Sequence, residues 1–150
     1  MNQKVEVASV LWRAARPTHL LLIAFVYLLG ATMAMALGAA FDAQVLLFGL
    51  VVLLIVSSSV HYANEYADYE TDALTKRTLF SGGSGALPGS TVPRRVALRA
   101  GWVGLAAGSM LALFGWAAGA INTTALFLLA LGTFLGWMYS LPPMALAWKG

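Results

Sequence analysis

The chain has 150 residues, of which 60% are hydrophobic and only 10% charged, with a formal net charge of +3. A soluble globular domain carries about 45–50% apolar and about 25% charged residues, so this composition excludes a soluble enzyme, a disordered chain and a coiled coil. What remains is an integral membrane protein, and the lack of cysteine removes disulfides, thiolate metal sites and cysteine nucleophiles from consideration.

In chain order, residues 1–18 read as a cytoplasmic or interfacial segment. Trp12, Arg13 and Arg16 fit a short helix at the membrane surface that ends at Pro17. Four apolar stretches follow, over about 19–41, 43–62, 96–118 and 121–141. Each meets the requirement of roughly 20 mostly apolar residues for a span. Backbone satisfaction in lipid makes each a helix, so the expected fold is an all-α, four-helix membrane bundle forming a single domain. The first stretch is too long for the apolar region of a signal peptide.

The basic residues sort by side. Lys4, Arg13, Arg16, Lys76, Arg77, Arg94, Arg95, Arg99 and Lys149 all fall before the first span, around the connection between the second and third, or after the fourth. The two opposite turns, near Asp42 and Gly119–Asn122, carry none. By the positive-inside rule both termini and the central connection lie in the cytoplasm, and the chain is a multi-pass protein of the cytoplasmic membrane. Gly104-x-x-x-Gly108, Gly115-x-x-x-Gly119 and Gly132-x-x-x-Gly136 place small residues one turn apart, a pattern that lets helices pack closely in lipid.

The cytoplasmic connection, 63–95, concentrates the polar chemistry. Glu65, Asp68, Glu70 and Asp72 are four of the chain's six acidic residues. Asn64, Asp68 and Asp72 are spaced four apart. Each step drifts about 40° around a helix and rises about 6 Å, so all three share one stripe. His61 and Ser57 continue that stripe back into the second span. Oxygen donors on one face suit Mg²⁺, which keeps waters and shares its shell with phosphates. They do not suit zinc. A solvated helix end is the plainer alternative, and a lone His in a span is more often a packing residue than a ligand. Lys76, Arg77 and the run Ser81-Gly-Gly-Ser-Gly come next. Such a run reads equally as a phosphate-facing backbone or as a flexible loop.

These elements resemble the UbiA-type membrane prenyltransferase family. Asn64-x-x-x-Asp68-x-x-x-Asp72 is similar to its first aspartate-rich motif. Arg16-Pro17, Ser81-Gly82 and Tyr139-Ser140-Leu-Pro142-Pro143 resemble its flanking elements, in the same order, over about residues 12–150. Two differences stand out: Tyr69 follows the middle Asp where the family often has Arg, and the post-motif run is richer in glycine. The resemblance implies an enzyme that transfers an isoprenyl group from an isoprenyl diphosphate to an aromatic or other lipophilic acceptor, most readily of the quinone-biosynthesis type. It implies Mg²⁺ held by Asn64, Asp68 and Asp72 as the catalytic set. Lys76, Arg77, Arg16, Tyr139 and Ser140 would then bind substrate. Family members have about nine membrane helices and a second aspartate-rich motif. The chain therefore reads as an N-terminal half, truncated at 150, catalytically silent without its C-terminal half. The alternative is a non-catalytic four-helix protein such as a channel or transporter subunit. It would explain an intramembrane His but not the Lys-Arg pair and glycine run after the carboxylates. A CDP-alcohol phosphotransferase is a further alternative, but the Asp-Gly signature of that class is not found here.

Overall fold

The computed structural model of the chain describes residues 2–74 and 83–149. Six α-helices follow in order: α1 (Gln3–Ala14), α2 (Pro17–Ala36), α3 (Ala43–Ala67), α4 (Tyr69–Leu74), α5 (Arg95–Ala117) and α6 (Thr123–Ser140). A single 3-10 turn, Leu146–Trp148, comes after a cis Pro142–Pro143 bond. No strand occurs among the described residues. Helices α2, α3, α5 and α6 are long and apolar enough to cross a membrane, as expected of the bundle.

Local chemistry sets the helix ends. Pro17 occupies the first turn of α2, and Arg16 before it sits in the left-handed region (φ 54), which breaks the chain between α1 and α2. Helix α2 stops at Ala36, short of residue 41. Gly38 takes φ 97, and backbone N–H groups of Gly38 and Ala39 turn back to the carbonyls of Met35 and Ala34. Asp42 caps α3 by accepting from the N–H groups of Gln44 and Val45 at 2.9 and 3.1 Å. Asn122 caps α6 by accepting from Ala125 N–H at 2.8 Å. Helix α3 runs on to Ala67, beyond residue 62, with Ala63 and Glu65 buried along the extra turn.

The bundle is built around α3. Helix α5 lies against it through glycines. A Cβ on Gly101 would meet Ser59 O at 3.2 Å, one on Gly104 Ser59 Cβ at 3.3 Å, and one on Gly108 Val56 Cγ2 at 2.5 Å. Gly115 likewise makes room for the ring of Phe48. Helix α6 uses Gly136, whose Cβ would lie 2.9 Å from Val60 Cγ1. Trp137 beside it donates its indole N–H to Ser59 Oγ at 3.2 Å. The remaining small residues of the three pairs do other things: Gly119 turns the chain at φ 77, and Gly132 has open space beside it. Helix α2 buries none of its residues. It is tied to α3 by Tyr27, whose hydroxyl donates to Leu46 O at 3.0 Å over Gly49.

At the other end, α1 folds onto the segment before α5. Val10 and Ala14 pack with Ala86, Leu87, Val92 and Ala97. Thr91 donates its backbone N–H to Glu6 at 3.0 Å and its hydroxyl at 2.9 Å. These bonds hold the Glu6 carboxyl below its usual range, the backbone bond most. The start of α2, the end of α3, the start of α5 and the end of α6 thus share one end of the bundle, with α1 and α4.

The glycine contacts generate a contrast. Gly108→Val should lower the unfolding midpoint in detergent, because overpacking a filled site costs about 1–3 kcal/mol. Gly132→Ala should be neutral or gain up to about 1 kcal/mol from the lost backbone freedom of glycine. Thermal melts of the two variants check this, and equal shifts would contradict the packing described.

Candidate active site

The polar end of α3 is where the chain's ionisable groups converge. Helical geometry carries on past the formal end of α3 at Ala67. Asp68 N–H donates to Asn64 O at 2.8 Å, and Asp72 N–H donates to Asp68 O at 2.8 Å. The three residues of the Asn64–Asp68–Asp72 ladder are therefore joined by consecutive turn-closing bonds. All three are partly buried.

Each has a distinct neighbour. Asn64 Oδ1 accepts a short hydrogen bond from the hydroxyl of Ser140, which is buried at the end of α6. That contact joins the fourth span to the ladder. Asp72 lies against Gly83, where a Cβ would overlap its carboxylate. Gly83 has φ 66, so glycine is required there both for backbone conformation and for space. Asp68 is half-buried. Burial pushes its carboxyl above the usual range, and the charges of Asp72 and Glu65 add to the rise, while Arg16 opposes it. Asp68 and Asp72 thus sense one another as like charges.

Arg16 is fully occupied on one side. Its Nε and Nη2 donate to Glu65 Oε1 at 3.2 and 3.0 Å. Glu65 is 1% exposed, and the same Oε1 accepts Ser84 N–H at 3.0 Å. Around the rim, Arg94 donates to Glu70 at 3.1 Å and lies 5.3 and 5.7 Å from the ring centres of Tyr66 and Tyr69. One turn deeper, His61 and His19 meet edge to face with centroids 5.9 Å apart, and His61 Nε2 is buried without a hydrogen-bond partner among the described residues.

Of the residues expected to form the site, the structure thus brings together Asn64, Asp68, Asp72, Arg16 and Ser140. Tyr139 is 52% exposed, and Ser140 beside it is buried. Lys76, Arg77, Ser81 and Gly82 lie outside the described residues. Among the described residues no group of three His, Cys, Asp or Glu side chains converges tightly enough to cage a metal. Glu65, Gly83 and Ser84 have site roles that the spacing argument did not assign. The signal for Glu65 was available: a carboxylate at the end of an apolar helix needs a cation, and Arg16 is the basic residue nearest the first span.

Between α3, α5 and α6 lies an apolar groove of about 500 Å³. Val56, Leu105, Leu113, Phe134 and Trp137 line it. Trp102 and Trp137 close its polar end, their rings 4.6 Å apart, and Ser140 lies one turn beyond Trp137.

A membrane-embedded bundle with this polar end agrees with the family comparison: the model of the UbiA prenyltransferase family matches residues 22–149. The chain belongs to the UbiA prenyltransferase family. Membership supports a prenyltransferase-type function in general and placement in a membrane. The matched stretch includes the ladder, Ser84 and Ser140, and begins after Arg16. No curated protein matches the chain, and no solved structure does.

The raised Asp68 carboxyl has a signed consequence. A carboxyl whose pKa is higher in the folded state adds stability below its unfolded value, near 3.8, and loses it as pH rises through the folded value. At neutral pH in a chelator, ionised Asp68 therefore weakens the fold, and Asp68→Asn should raise the unfolding midpoint. The gain should fade as pH falls toward 3.8. Melts from pH 3.5 to 8 measure it, and a gain that grows at low pH would contradict the assignment.

Proposed function

We propose that the chain carries a diphosphate-binding site of an Mg²⁺-dependent intramembrane prenyltransferase. In this reading an isoprenyl group passes from an isoprenyl diphosphate to a lipophilic, electron-rich acceptor of the quinone-precursor type. The observation that carries the reading is the ladder: Asn64, Asp68 and Asp72, bonded turn to turn at the polar end of an otherwise apolar bundle.

The donor chemistry fits the metal. The ladder offers oxygen donors, and burial and then the charge of Asp72 raise the proton affinity of Asp68 where no cation separates the two carboxylates. Mg²⁺ is commonly held by one or two carboxylates with waters and substrate phosphates completing its shell. An incomplete protein shell is therefore what it needs, and Asp68 and Asp72 would hold it, with Asn64 beside them. When bound, the metal neutralises charge on the diphosphate.

The chain's own residues supply the remainder. Arg16 carries its positive charge next to Asp68, so an anion held there meets a fixed cation. Lys76 and Arg77 follow the ladder by one turn in sequence and are assigned the same role. Departure of diphosphate leaves an allylic cation, which the acceptor attacks at carbon; the acceptor's proton is then released. Preorganised charge that stabilises a leaving anion is worth about 10²–10³ in rate per donor. Ser140 orients Asn64, and the groove beside Trp137 gives an isoprenyl tail an apolar path. Tyr139 is assigned to the mouth where the acceptor arrives. A channel or transporter subunit is not favoured, because it gives no role to paired carboxylates bonded in register. With Lys and Arg gathered at the ladder's end, that end faces the cytoplasm.

Two measurements test the reading. Calorimetric titration of the purified chain in nanodiscs with geranyl diphosphate should give binding that requires Mg²⁺. Asp72→Ala and Gly83→Ala should each abolish it while the chain stays folded; binding unaffected by chelator or by both variants would end the proposal. A reporter fused after Gly150 should be active only in the cytoplasm, and activity on the opposite side would reverse the topology.

A further inference from the structure

Glu65 is the most buried charged group at the polar end, and nothing in the ladder chemistry uses it. On a helix Glu65 stands about 100° from Asn64, just beyond the Asp72 edge of the ladder's stripe. Its single oxygen Oε1 gathers three donors from two other segments: Arg16 Nε, Arg16 Nη2 and Ser84 N–H. Stability alone does not account for this arrangement, since buried ion pairs replaced by apolar residues are often neutral or better. What the arrangement adds is direction. Ser84 is the neighbour of Gly83, and Gly83 is the backbone that rests on the Asp72 carboxylate. Arg16 stands close enough to Asp68 to lower its proton affinity. Arg16 also holds a left-handed backbone, φ 54 and ψ 67, which non-glycine residues rarely adopt. Such outliers persist where surrounding contacts over-determine them. Here the fork on Glu65 is that contact.

We infer that Glu65 is a positioning residue: through one carboxylate oxygen it seats the Gly83–Ser84 backbone against Asp72 and fixes the Arg16 guanidinium beside Asp68, so that carboxylates, backbone and cation meet a diphosphate in one preset geometry. The inference rests on the diphosphate reading above and assigns that site a specific support. Glu65 itself touches neither metal nor substrate. Its effect reaches them from both sides, through the junction of α1 and α2 and through the segment that leads to α5.

The experiment uses the full chain in nanodiscs and takes advantage of its lack of cysteine. Spin labels on Ala73→Cys and Gly89→Cys, both exposed positions, report the distance between α4 and the segment after Ser84. Calorimetry with inorganic diphosphate and Mg²⁺ reports the site. Glu65→Gln keeps the shape and removes the charge. It should broaden the spin–spin distance distribution and weaken Mg²⁺–diphosphate binding roughly 10–100-fold, the range typical of supporting residues around metal ligands. Val52→Ala, in the core between α3 and α5, serves as a control that lowers the melting temperature and leaves both readouts unchanged. Arg16→Lys, which keeps the charge but loses the two-pronged donor, should reproduce the Glu65→Gln result and takes its place if that variant does not fold. Unchanged distances or unchanged affinity in Glu65→Gln would overturn the inference. So would equal losses in Val52→Ala. If the wild-type chain binds no diphosphate, the functional reading falls; broadened distances in Glu65→Gln would then still support the tether.

Discussion

A carboxylate cannot be stripped of water at the end of a membrane helix unless something replaces the water. Glu65, 1% exposed, meets that constraint with a guanidinium fork and a backbone N–H, all on one oxygen. The solution draws in the junction between α1 and α2, the end of α3 and the segment leading to α5. Those parts are far apart in sequence and have little else in common. Arg16 makes this pairing from a left-handed backbone, which turns the chain between α1 and α2. The packing of α1 onto Ala86, Leu87 and Val92 and the Glu6–Thr91 bonds then follow from where that turn aims the helix.

Toward the apolar half, the organising feature is smallness. Lipid offers no hydrophobic gain for bringing helices together, so close packing has to supply it. Helix α5 supplies it with Gly101, Gly104 and Gly108 against the Val56–Ser59 stretch of α3, and α6 does so with Gly136 against Val60. The two helices thereby approach α3 from different sides and leave the groove between themselves. Polar bonds appear where the packing ends: Trp137 to Ser59, then Ser140 to Asn64. The same sequence of contacts that closes the bundle leads, turn by turn, into the carboxylate ladder.

Much of this was legible in the sequence. The number of spans, their alternation and the common stripe of Asn64, Asp68 and Asp72 follow from hydropathy and from helical period, which are local properties. The glycine pairs were legible as packing signals, but their partners were not. Gly132 and Gly136 look alike in the sequence, yet only Gly136 meets a neighbour, because which face α6 turns to α3 is a tertiary matter. The same holds for Glu65. Sitting in a run of acids, it reads as one more solvated carboxylate until Arg16, 49 positions earlier, is brought beside it. Ala39, Ala40 and Phe41 are apolar enough to continue the first helix, whereas Gly38 at φ 97 ends it. Asp42, an isolated acid by composition, is the cap that starts the next helix.

Helix α2 buries none of its residues and has its polar attachments at Arg16 and Tyr27. Those two points are about 16 Å apart along its axis, and the helix extends well beyond the second. Mechanically it is a rod pinned near one end and at its middle, and its far end is joined to α3 through residues 37–42. Torsion about the line joining the pins meets little resistance, while tilt away from that line must break one of the two bonds. Tilt of α2 therefore bears on Arg16, the residue whose guanidinium stands beside Asp68.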